Sequence, residues 1–169
     1  MTTQTLSEKV ASLIELISQE AAVFEDFLKL LGRQQEMLVK NDVDGLNKVT
    51  ALQREKVVES QLLNKKREAL ISEIKSANAI EGDLNVTRLI ELVDEDQGGR
   101  LLQLRDIISG LNRKISEVRD QNALLLNRSR EYIARTLEML SNINNPNSNY
   151  TPSGAPAKNG AAVAVDRRA

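Results

Sequence analysis

The stretch from about Gly99 to Ile143 constrains this chain most. Leu101, Leu104, Ile108, Leu111, Ile115, Val118, Asn122, Leu125, Ser129, Tyr132, Thr136, Met139 and Ile143 follow one another at alternating steps of three and four. That is the spacing of a helix seam, and no proline interrupts it. At 1.5 Å per residue such a helix is roughly 65 Å long, about twice the width of a compact domain of this size. It therefore either lies in an elongated bundle or leaves part of its apolar face for a partner. From about Asn122 onward the stripe widens, because Leu126, Ile133, Leu137 and Leu140 add a second heptad phase beside the first. That half carries more apolar face than one neighbouring helix needs.

Composition narrows the fold class. At 169 residues, 41% apolar and 28% charged, the chain suits one folded domain, and with only 2% aromatic residues it has to be held by Leu, Ile and Val. A helical bundle can be built that way, so an all-α fold is expected. There is no cysteine and no histidine, which excludes thiolate and imidazole metal sites and Cys or His nucleophile and base systems. No cofactor is called for, and carboxylates alone suggest no enzyme. Lys and Arg (23) nearly balance Asp and Glu (24), so nothing draws the chain to nucleic acid. From Arg100 to Glu138 eight basic residues face five acidic ones without interleaved aromatics, the pattern of a solvated face. With no run of 18 apolar residues and no basic-then-apolar leader after Met1, stable membrane insertion is not expected and the cytoplasm is the expected compartment.

In chain order, Leu6, Val10, Leu13, Ile17, Phe24, Phe27, Leu28, Leu31 and Leu38 predict a first helix from about Thr5 to Lys40, with Ser7 or Thr5 as N-cap. Asn41-Asp42-Val43-Asp44-Gly45 is a turn in which Asp42 can cap a second, antiparallel helix over about 43–77. That register brings Lys56 near Asp26 and Phe27. The polar middle of the second helix, Gln53-Arg54-Glu55-Lys56, is read either as a register-fixing layer or as a solvated face. A short helix over about 87–93 follows, and Gly98-Gly99 reads as the hinge into the long helix. Asp94-x-Asp96 starts like a calcium loop but meets Gly98 and Arg105 where ligands belong. Asn122 and Ser129 sit as polar residues in the seam, able to set register within the bundle or to bond an incoming helix. The boundaries drawn are a helical bundle over 1–143 and a disordered tail over 144–169, rich in Asn, Pro, Ser, Gly and Ala, with Tyr150 its one large apolar group.

Leu31-x-x-Gln34-Gln35-x-x-Leu38, Asp44-Gly45-Leu46, Gln53-Arg54-Glu55-Lys56, Asn122-Ala-Leu-Leu-Leu-Asn127 with Tyr132-Ile133 and Leu137-x-x-Leu140, and the tail Tyr150-x-x-x-Gly154 together resemble the FlgN family. The resemblance spans about residues 5 to 155, and Thr151-Pro152 stands where family tails carry Gly after the tyrosine. It implies a cytoplasmic type III flagellar export chaperone. Such a protein holds the C-terminal helical region of hook-filament junction proteins and brings them to the export gate. The carry-over places the client on Asn122, Leu125, Leu126, Ser129, Tyr132, Ile133 and Leu137, and the gate on Tyr150. The competing reading is a structural coiled coil in which the same heptads pair two copies into a homodimer without a client.

Overall fold

A computed structural model describes residues 3–144. The tail, with Tyr150, lies outside the described residues. Those described form four helices and no strand: α1 Thr3–Lys40, α2 Val43–Ala77, the short α3 Val86–Ile90 and α4 Glu95–Asn144. All-α is thus the fold, and the long helices pack together. The chain divides into two compact units, Met1–Leu126 and Asn127–Ala169, with α4 contributing to each.

The α1–α2 turn follows from its residues. Asn41 adopts the left-handed conformation (φ 54°), which Asn tolerates better than most side chains. This lets the Asp42 N–H donate to the Met37 carbonyl (3.0 Å) and the Asn41 N–H to that of Leu38 (3.3 Å), ending α1. The Asp42 carboxylate then accepts from the Gly45 N–H at 2.9 Å and starts α2, as its position predicts. Gly45 is required by close approach: a Cβ there would collide with Met37 Sδ and the Asp42 carboxylate. The two helices run antiparallel, and Lys56 Nζ lies 3.3 Å from Asp26 Oδ2, as that register predicts. Hydrogen bonding to Glu59, then Asp26, raises the Lys56 pKa.

Three expectations are corrected. Helix α1 begins at Thr3, so neither Thr5 nor Ser7 is its N-cap. The short helix covers Val86–Ile90 and stops before Leu92 and Val93, because the Leu92 N–H donates to the Leu89 carbonyl (3.0 Å) in a tighter turn. Gly98 and Gly99 are not a hinge but lie inside α4, which starts at Glu95. The Asp94 side chain accepts from the Gln97 N–H at 2.8 Å, so this residue caps the helix. Gly98 is buried, and a Cβ there would stand 3.4 Å from Ile90 Cγ2, at the edge of ordinary van der Waals contact.

Within the first unit the core is Val10, Leu13, Ile14, Ile74, Leu89 and Leu101, with side chains from all four helices. Gln97 Nε2 donates to the Ser7 carbonyl (2.9 Å) and Asn122 Nδ2 to that of Leu31 (2.9 Å), so this part of α4 runs parallel to α1. Further along, Glu20 is buried on α1 with Arg67 Nε 3.3 Å from its carboxylate. Burial pushes the Glu20 pKa up, and the Arg67 charge opposes that shift.

Candidate functional site

The seam read from the sequence changes character along α4. Leu101, Leu111 and Asn122 are buried, and Leu104, Ile108, Ile115, Val118 and Leu125 are half-buried, as residues facing a bundle should be. Beyond Ser129, which is half-buried, the periodicity continues but every described side chain is exposed. Tyr132 is 73% exposed, Ile133 56% and Leu137 61%, and Met139, Leu140 and Ile143 are also exposed. Scattered apolar residues on a surface are ordinary, whereas here they recur on consecutive turns of one helix. Leu126, Ile133, Leu137 and Leu140 lie at helical spacing on one side, while Arg128, Glu131, Arg135 and Glu138 lie on the other. The Thr136 hydroxyl donates to the Tyr132 carbonyl at 2.9 Å, so it is satisfied within the helix.

The residues named from the sequence thus fall into three groups. Leu126, Tyr132, Ile133 and Leu137 are exposed, and Leu125 and Ser129 are partly covered. Asn122 is buried, with its amide donating to the Leu31 carbonyl and, at 3.0 Å, to Gln34 Oε1. Its amide thus faces α1. Tyr150 lies outside the described residues. Sequence reasoning left Met139, Leu140 and Ile143 out of the face. Their heptad spacing was the available signal, and Leu140 already belonged to the second apolar phase.

No group of three acidic side chains that could hold a metal ion occurs among the described residues. Asp94 is engaged in capping α4, which accounts for it without calcium. The site is therefore an apolar helical surface, suited to packing against another helix. A family model described as FlgN protein matches residues 1–158, nearly the whole chain. The chain belongs to the FlgN family. Comparison with curated proteins and with solved structures gives no match. FlgN proteins are flagellar export chaperones, which act by binding flagellar proteins. No helix among the described residues of this FlgN chain is long and apolar enough to cross a membrane.

Proposed function

We propose that this chain is a cytoplasmic chaperone that holds the C-terminal helical region of hook-filament junction proteins along Leu125, Leu126, Ser129, Tyr132, Ile133 and Leu137. Met139, Leu140 and Ile143 extend the face. Loaded, the chaperone docks onto the export gate through Tyr150. The observation that carries the reading is the run of exposed apolar side chains over Tyr132–Ile143 in a member of an export-chaperone family. A client helix with its own apolar stripe covers those side chains, removing both surfaces from water. Tyr150 suits a modest, releasable contact, since its ring fills an apolar pocket while its hydroxyl bonds at the rim.

Titration of the chain with the C-terminal segment of a junction protein tests this. A 1:1 complex is expected, and Ile133→Ala should weaken it about tenfold or more, because roughly 0.8 kcal/mol is lost per CH₂ no longer buried. Tyr150→Ala should leave client binding unchanged and weaken capture of the loaded chaperone by the export gate. Light scattering of the free chain separates the rival reading. A dimer that forms through this face and takes up no junction-protein segment would establish a coiled coil without a client.

A further inference from the structure

Three amides, one from each long helix, meet where the buried part of α4 ends. Asn122 of α4 is 4% exposed and Gln53 of α2 is 9% exposed. Asn122 Nδ2 donates to Gln34 Oε1 (3.0 Å) as well as to the Leu31 carbonyl (2.9 Å), and Gln34 Nε2 donates to Gln53 Oε1 (3.4 Å). On one side of this level the neighbouring enclosed residues on α1 and α4 are apolar, Leu30, Leu31 and Leu111. Past it, no described residue of α4 is buried. The layer is incompletely satisfied, because Gln53 Nε2 and Asn122 Oδ1 have no hydrogen-bond partner among the described residues. An apolar layer would avoid that penalty, so stability is not what these amides contribute.

What they contribute follows from the heptads on either side. Along α4, residues spaced by seven from Asn122 are Ile115 and Ser129. Sliding α4 by one heptad in one direction sets Ile115 against Gln34, stripping its Oε1 of the Asn122 donor. Sliding it in the other direction sets Ser129 there and carries Asn122 to an apolar level. The apolar seam residues would tolerate the second slip, which puts Ile108 in the place of Leu101, since Leu, Ile and Val exchange places with little loss, whereas the first would also bring Asp94 to that core position. We infer that Gln34, Gln53 and Asn122 form a positioning layer that admits one register of α4 against the α1–α2 hairpin and so sets where along α4 the stretch open to a partner begins. A slip of seven residues displaces that starting point by about 10 Å. The inference is independent of whether the partner is a client helix or a second copy.

The chain has no cysteine, so spin labels can be placed at Glu36→Cys on α1 and Glu117→Cys on α4, both exposed. The α1–α4 hydrogen bonds join residues 86 to 91 apart in sequence, which sets Glu36 opposite about residue 125, so the two labels are staggered along the bundle. A slip either way then changes their separation. The parent should give one narrow distance by pulsed electron paramagnetic resonance. The triple variant Gln34→Leu, Gln53→Leu, Asn122→Leu should remain folded, resist urea at least as well as the parent, and show a second, displaced distance. A sample with the Glu117 label alone reports coupling between copies, which dilution with unlabelled chain removes. Should the triple variant fail to fold, Asn122→Ala is read with the same labels, and two distances are again expected. A single parental distance in the folded variant, whatever its stability, overturns the proposal, since an amide layer that merely packs would alter stability and leave the separation unchanged.

Discussion

Leu101→Ala and Leu137→Ala delete the same atoms from one helix, and the structure assigns them opposite consequences. Leu101 is 1% exposed and packs in the core with Val10, Leu13, Ile74 and Leu89. Its truncation loses the transfer energy of three carbons, about 2.4 kcal/mol at about 0.8 kcal/mol per methylene, and leaves a cavity among helices that relax only in part. Leu-to-Ala losses at such sites run from about 2 to 5 kcal/mol, so about 3 kcal/mol is expected here. Leu137 is 61% exposed, and its truncation should change stability by no more than about 0.5 kcal/mol. Urea unfolding followed by circular dichroism distinguishes the two. With a slope of about 2 kcal/mol per molar, Leu101→Ala lowers the midpoint by about 1.5 M and Leu137→Ala leaves it within about 0.25 M. Equal losses at both positions would falsify the assignment of Leu137 to an open face, and with it the surface on which the proposed client rests.

Two backbone exchanges should each stabilise the protein by about 0.5 to 1 kcal/mol, read as a raised melting temperature: Gly99→Ala, because α4 continues through it with open space at its Cβ, and Ala79→Gly, because Ala79 holds the left-handed φ of 51°. A loss at Gly99→Ala would restore the hinge. Glu20 should show itself in pH dependence. Its folded-state pKa lies above 4.5, so between these values the folded state binds more protons, and its contribution to stability falls as pH rises through the folded pKa. The stability of Glu20→Gln relative to the parent should accordingly be greater at pH 7 than at pH 4.5, and urea midpoints that differ by the same amount at both pH values would refute this.

Much of the fold was legible because it rests on local chemistry. Period-3.6 apolar spacing, an Asp at the cap and an Asn able to take φ of 54° are properties of neighbouring residues, and α2 runs from Val43 to Ala77 as they predict. The surplus of apolar surface after Asn122 was legible too, since two heptad phases side by side exceed what one neighbouring helix covers. Gly98-Gly99 was misread because glycine weakens a helix intrinsically, whereas Asp94 caps α4 ahead of both glycines and Leu101, just beyond them, is buried in a core built from all four helices. Asn122 shows the same division most clearly. Its place in the seam follows from counting residues, but a seam position faces whichever helix arrives. Only the packing of α4 beside α1 commits its amide to the Leu31 carbonyl and Gln34, and so separates a residue engaged within the bundle from the leucines and isoleucines, a few turns on, that remain open.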